Sequence, residues 1–208
     1  MSFKIIFSDI DGTLLNANRE LSTRTIETIK KLDQKVPFIL ISSRMPGAMR
    51  HLQKQLGIEN LPIICYNGGL VIADGKTISS TTISGEIIED LCSFNSSDNC
   101  HLSLYHNDEW YVPEDDFWAQ REMNNTKVKP EVLGNLHVIK SWKPENKGAH
   151  KIMAMGEEAQ IDKIENYLAE NYKNELHLYR SKPTYLEIAP KSISKLTAIE
   201  LLLKNKYN

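Results

Sequence analysis

The stretch Ile5-Ile6-Phe7-Ser8-Asp9-Ile10-Asp11-Gly12-Thr13-Leu14-Leu15 decides the fold. A short apolar run that leads into turn chemistry reads as a buried strand. It puts Asp9 at the strand's carboxyl end, where open α/β sheets bind ligands, and Asp11 in the loop beyond. Gly12 releases the chain into that loop. Two carboxylates this close repel each other. A divalent cation removes the conflict, because Mg²⁺ takes one or two carboxylates together with water and phosphate oxygens. The same residue types also suit an ordinary acidic turn. A calcium loop is rejected: its sixth position needs glycine, and that position here is Leu14.

Length and charge narrow the classes. With 208 residues the chain can form one large domain or two smaller ones. A formal charge of −2 without any Lys/Arg block lacks the footprint of a nucleic-acid binder. Cys65, Cys92 and Cys100 have no Cys-x-x-Cys spacing and read as the reduced thiols of a cytoplasmic protein. No apolar segment is long enough for a signal peptide or a membrane span, so no membrane partner is expected. The six histidines are scattered, with no His-x-x-x-His pair to support zinc.

Outward from the acidic loop, Ser22 is placed to cap a helix, with Leu21 and Ile26 as a hydrophobic staple. That helix is expected to end in the polar Asp33-Gln34-Lys35, and 36–41 reads as a second strand. Strand, helix, strand at this spacing is a parallel unit with a right-handed crossover. The second strand ends at Ser42-Ser43-Arg44, on the same sheet edge as Asp9. A helix follows, with Pro46 in its first turn, Met49, Leu52 and Leu56 on one face, and Gly57 at its end. Hydroxyls and N–H groups at a helix start can cradle a phosphate; equally, Ser42 and Ser43 can simply cap the helix. A third strand, 61–66, runs into Asn67-Gly68-Gly69, a hairpin signal, and then Leu70-Val71-Ile72.

From about Ser84 the pattern changes. Helices are expected over 86–94, 117–123 and 157–172, and a strand pair over 101–112 turning at Asn107-Asp108. Further strands are expected over 136–142, 150–155, 176–179 and 185–189. This reads as a second, smaller α/β domain at 84–181, inserted between 1–83 and 182–208. Lys195 then opens a final helix with Leu196, Ile199 and Leu203 apolar. The helix dipole disfavours a cation in a first turn unless an anion faces it.

Asp9-Ile10-Asp11-Gly12-Thr13-Leu14-Leu15 closely resembles the first motif of the haloacid-dehalogenase-like (HAD) phosphatases, Asp-x-Asp-Gly-Thr-Leu after a hydrophobic strand. Ser42-Ser43-Arg44 is similar to the second motif, which reads Thr-Gly-Arg in the Cof-type subgroup. Ser194-Lys195 is similar to the third, which there ends Ser-Lys-Gly. Ser43 and Leu196 stand where the subgroup has glycine. The resemblance implies an α/β fold: a Rossmann-like HAD core with a parallel sheet, and an inserted α/β cap domain. It makes Asp9 the nucleophile and Asp11 the general acid and base. Lys195 is the residue that neutralises the nucleophile and the phosphoryl oxygens. Gly12, Thr13, Ser42, Ser43 and Arg44 are implied to bind phosphate or substrate. Asn67 and Gly68 would line the substrate entrance, where the subgroup has Asn-Gly-Ala.

The implied cofactor is Mg²⁺, held by Asp9 and Asp11, and the implied partner is a small-molecule phosphate ester. The implied activity is Mg²⁺-dependent hydrolysis of small monoesters, sugar phosphates or similar, through an aspartyl phosphate. A phosphosugar mutase and a non-catalytic phosphate-binding module remain open as alternatives, and a monomer is the expected state. Family members continue past this final helix to a further strand and a Gly-Asp-x-x-Asn-Asp loop that completes the metal site. Only thirteen residues follow Lys195 here, without such a loop. The C-terminal strands of the core are therefore expected to be missing, the first strand to be left at a sheet edge, and the chain to be a truncated or proteolysed product with impaired activity.

Overall fold

The computed structural model describes residues 4–32 and 36–207. The chain divides into two compact units, Met1–Ser80 with Ser194–Asn208, and Thr81–Ile193. It begins β1 (Ile6–Asp9), α1 (Thr23–Lys30), β2 (Phe38–Ile41), α2 (Gly47–Leu56), β3 (Ile63–Cys65), β4 (Leu70–Ala73) and β5 (Lys76–Ser80). The second unit follows as α3 (Gly85–Phe94), β6 (His101–His106), β7 (Glu109–Val112), α4 (Phe117–Thr126), β8 (Glu131–Val132) and α5 (Asn135–Trp142). It closes with β9 (Lys151–Met155), α6 (Glu158–Asn171), β10 (Leu176–Lys182) and β11 (Tyr185–Pro190), before the chain returns to the first unit as α7 (Lys195–Leu202).

In the first unit the five strands pair in the order β1-β2-β3-β4-β5. β1, β2 and β3 are parallel, with Asp9 opposite Ile41 and Ile41 opposite Ile64. Parallel neighbours need a crossover, and α1 and α2 supply the two. Ser22 caps α1 by accepting the Thr25 N–H at 3.0 Å; the expected helix end at Asp33-Gln34-Lys35 lies outside the described residues. Only four residues separate β3 from β4, too few to cross over, so β4 and then β5 return antiparallel. The expected parallel sheet is thus three strands extended by a hairpin. Among the described residues β1 pairs with β2 alone, at the sheet edge.

Side chains alternate along a strand, so Ile39 and Ile41 of β2 share one face of the sheet. There they cluster with Ile64, Val71 and Ala73 under Ala198 and Leu202 of α7. Leu196, expected on the apolar face of this helix, is 64% exposed instead. Lys195 and Ala198 already define the inward face, and Leu196 lies about 100° further round the helix.

In the second unit the sheet order is β10-β11-β9-β6-β7-β8, antiparallel except where β8 joins β7 in parallel. Leu102, Leu104, Ile152, Ala154, Leu186 and Ile188 form its apolar face. Against it pack Ile88 and Leu91 of α3, Val138, Ile139 and Trp142 of α5, and Ile161, Ile164 and Leu168 of α6. Residues 136–142, expected as a strand, are helix α5. Val138, Ile139 and Trp142 bury at helical spacing while Leu136 stays 63% exposed, a pattern a strand cannot give. The boundaries also differ from 84–181. β11 is hydrogen-bonded between β9 and β10, so 182–193 belong with the second sheet, and the isolated bridge between Ile83 and Ala149 draws the entry back to Thr81. The short strands β5 and β8 carry little apolar alternation and were not anticipated.

Candidate active site

Asp9 is the last residue of β1, and the chain turns immediately after it. Ile10 is fully buried, and its carbonyl accepts the N–H groups of Leu14 at 3.0 Å and Leu15 at 3.1 Å, with Thr13 at 3.4 Å. One carbonyl therefore winds the acidic loop into a tight coil around a buried anchor. Gly12 sits in this coil at φ +76°, a left-handed conformation that glycine adopts without strain. Asp11 and Thr13 face outward, and Asp11 keeps nearly half of its side chain exposed.

The second strand ends beside the first. Ser42 follows Ile41, the register partner of Asp9, and so lies at the same carboxyl edge. Its N–H donates to the Ile64 carbonyl at 3.0 Å and its hydroxyl accepts the Arg44 N–H at 3.2 Å. Ser42 and Ser43 therefore do not cap α2, whose first residue follows Pro46 with no side-chain cap. Ser42 is almost fully buried and Ser43 is half-buried in the same turn. Arg44 is buried too, and its guanidinium reaches back to Asp11. Nε donates to Oδ2 and Nη2 to Oδ1, both at 2.8 Å, while Nη1 donates to the Ala48 carbonyl at 3.3 Å. The arginine expected to contact a phosphate thus grips the second carboxylate in a two-point fork.

Lys195 closes the arrangement. It is the first residue of α7, and its Nζ donates to Asp9 Oδ1 at 2.8 Å. Ser194 caps the helix by accepting the Thr197 N–H at 3.0 Å, while Thr197 Oγ1 returns to the Ser194 N–H at 3.1 Å. This reciprocal box fixes the helix start and hence the point from which the lysine departs. Asn67 and Gly68 form the turn after β3; the Asn67 N–H donates to the Ser42 carbonyl at 2.8 Å, and the preceding Tyr66 N–H donates to the Arg44 carbonyl at 3.1 Å. These ties between loops went unseen in the sequence. A Ser-x-x-Thr pattern at 194–197 was the visible signal for the cap, but nothing local marks a carbonyl as an anchor.

The structure therefore brings together Asp9 with Lys195 and Asp11 with Arg44, and stitches the turns of Ser42 and Asn67 to each other. Burial pushes the Cys92 and Cys100 thiols in the second unit up to about 12. For magnesium, the donor set is two part-exposed carboxylates carrying hard oxygens, which with water and phosphate oxygens meets that ion's preference. Among the described residues no group of three or more His, Cys, Asp or Glu is placed to hold a metal. Arg44 engages both oxygens of Asp11, whereas Lys195 engages one oxygen of Asp9. The residues present fit the ion as a partial set, with Asp9 the more open member.

Two loops at the carboxyl edge of three parallel strands, joined by the start of α7, define a Rossmann-like α/β core. A family model for haloacid dehalogenase-like hydrolases matches residues 6–208, and the chain belongs to that family. A Haemophilus influenzae protein provisionally named a phosphatase is 29% identical over 204 residues, covering 97% of this chain and 75% of the relative. A crystal structure from Thermotoga maritima shares 26% identity at a TM-score of 0.87, covering 99% of this chain and 76% of that one. A haloacid dehalogenase-like hydrolase from Bacteroides thetaiotaomicron has the same fold at 23% identity and a TM-score of 0.86, covering 98% and 77%. The chain spans about three-quarters of the length of the curated relatives it matches.

Proposed function

We propose that this chain carries the nucleophile, the acid/base and the charge-neutralising lysine of a Mg²⁺-dependent phosphatase that acts on small phosphate monoesters, sugar phosphates among them. The observation that carries the reading is the 2.8 Å contact between Lys195 Nζ and Asp9 Oδ1 at the carboxyl end of β1. A lysine in the first turn of a helix is costly unless it faces an anion. Here it faces one, and a phosphoryl group seated against Asp9 would add a second.

In the proposed reaction a carboxylate oxygen of Asp9 attacks phosphorus, and the bond from phosphorus to the ester oxygen breaks. The departing oxygen takes the proton held by Asp11, which is left ionised. Asp11 then removes a proton from water as that water attacks phosphorus of the aspartyl phosphate; the bond from phosphorus to the Asp9 oxygen breaks, phosphate is released, and Asp9 is restored as the carboxylate and Asp11 as the protonated acid. Lys195 offsets charge on Asp9 and on the phosphoryl oxygens throughout. Arg44 orients Asp11, since a two-point fork fixes both the position and the plane of the carboxylate. Asp9 and Asp11 would hold Mg²⁺, which supplies further neutralisation of the phosphoryl oxygens when bound. The residues given roles here all lie in the first unit, which is proposed as the core, and the second unit is proposed as the cap. Hydrolysis of p-nitrophenyl phosphate with added Mg²⁺, and its loss on chelation, tests the reading; turnover unaffected by chelation contradicts the metal requirement.

A further inference from the structure

Three consecutive residues after β3 have left-handed backbone: Tyr66 at φ 52°, Asn67 at φ 54° and Gly68 at φ 108°. For two non-glycine residues in a row this costs free energy, and such strain persists only where the surroundings enforce it. On one side the triplet is tied to the second motif's turn, through Tyr66 N–H to the Arg44 carbonyl and Asn67 N–H to the Ser42 carbonyl. On the other side it meets the start of α7. A Cβ added at Gly68 would lie 2.4 Å from the Ser194 carbonyl oxygen, 3.0 Å from its carbon and 3.0 Å from the Ala198 Cβ. That oxygen already accepts the Ala198 N–H at 3.1 Å and the Thr197 hydroxyl at 3.0 Å. It belongs to helix backbone and cannot swing aside as a side-chain tip would.

We infer that Gly68 is a positioning residue: by lacking a side chain it lets the first turn of α7 seat directly on the left-handed triplet, and so sets Lys195 within hydrogen-bond reach of Asp9. Its catalytic consequence rests on the phosphatase reading above, whereas the contact it preserves does not. Lys195 is the residue next to the carbonyl that Gly68 touches. Any shift of that carbonyl moves the root of the lysine side chain with it, and misplacement by about 1 Å at a reacting group can cost on the order of 10²-fold in rate. This differs from the expected role of Gly68 in lining the substrate entrance. A residue that touches substrate is read in KM, while one that acts through Lys195 is read in kcat.

The test uses the full chain with ¹³C-labelled lysine. The Lys195 ε-methylene resonance is assigned by its disappearance in Lys195→Arg, and its displacement by Asp9→Asn is measured with Gly and with Ala at position 68. The inference expects a clear displacement in the parent and its loss in Gly68→Ala; displacement of equal size in both overturns it, whether or not the chain hydrolyses esters. Where p-nitrophenyl phosphate is turned over, Gly68→Ala should lower kcat by roughly 10- to 100-fold with KM little changed. In a Lys195→Ala background the same substitution should have no further effect; equal losses in both backgrounds overturn the inference. Should Gly68→Ala fail to fold, Ala198→Ser adds an atom on the helix side of the same contact and is read in the same two ways.

Discussion

Lys195 Nζ donates to Asp9 Oδ1 at 2.8 Å across 186 residues of sequence. The two side chains are each a little over one-third exposed, so as a stabilising ion pair the contact is worth little. On the proposed reading its value lies in charge placed where a phosphoryl group would sit. Lys195→Met should therefore lower kcat on the order of 10²–10³-fold while the unfolding midpoint changes little, and Lys195→Arg should recover part of the loss. Steady-state kinetics beside urea unfolding make the comparison; a large loss of stability with unchanged kcat would assign the pair a structural role.

Arg44 separates two roles. It was expected to bind phosphate, and it holds Asp11 with two 2.8 Å bonds. Arg44→Lys keeps a positive charge but cannot reproduce the fork. The geometry predicts a fall in kcat and an altered pH dependence, with KM within a few-fold of the parent. A rise in KM with kcat unchanged would return Arg44 to the substrate.

Asp116 carries a stability prediction within the second unit. Its Oδ1 accepts the Ala119 N–H at 2.8 Å as the cap of α4, and its Oδ2 bonds His101 Nδ1 at 2.8 Å. Asp116→Ala should cost about 1–2 kcal/mol, read as a lower urea midpoint, and Asp116→Asn should cost less.

Acid should weaken the fold before the carboxylates titrate. Burial, and then the neighbouring His106, lowers His150 from 6.5 to about 3. Burial likewise lowers His101, against an opposing pull from Asp116. Between those lowered values and 6.5 the unfolded chain binds protons that the folded chain does not, so stability falls as pH falls. Asp90 acts later. Hydrogen bonds from Tyr167 and then Tyr172 hold it below 3.8, so its contribution is lost only in stronger acid. Urea midpoints should decline from about pH 7 to about pH 4, and His150→Asn should flatten that decline; a flat parent profile would contradict this account.

Much of the first unit was legible because its signals are local. The Ile5–Phe7 apolar run, the Ser22 cap and the Gly57 stop each mark an element through residues adjacent in sequence. The pairing of Lys195 with Asp9 followed from motif resemblance rather than from any local pattern. The target of Arg44 was not legible, since nothing in Ser42-Ser43-Arg44 distinguishes a guanidinium aimed at phosphate from one aimed at a carboxylate 33 residues earlier. Helix α5 is hard to read because Leu136 and Val138 alternate with the polar His137 as in a strand start, and packing against the sheet and α3 selects the helical stripe of Val138, Ile139 and Trp142. The role of Gly68 depends on a carbonyl 126 positions later, so the Asn-Gly signal could report a turn but not what rests upon it.

The central claim is that Asp9 becomes covalently phosphorylated. The most direct measurement is to quench the full chain during turnover of p-nitrophenyl phosphate with Mg²⁺, reduce it with borohydride, and locate the modified residue by peptide mass spectrometry. The account predicts modification on Asp9 and the loss of both turnover and label in Asp9→Asn. Continued Mg²⁺-dependent turnover with asparagine at position 9, or a label on any other residue, would contradict it.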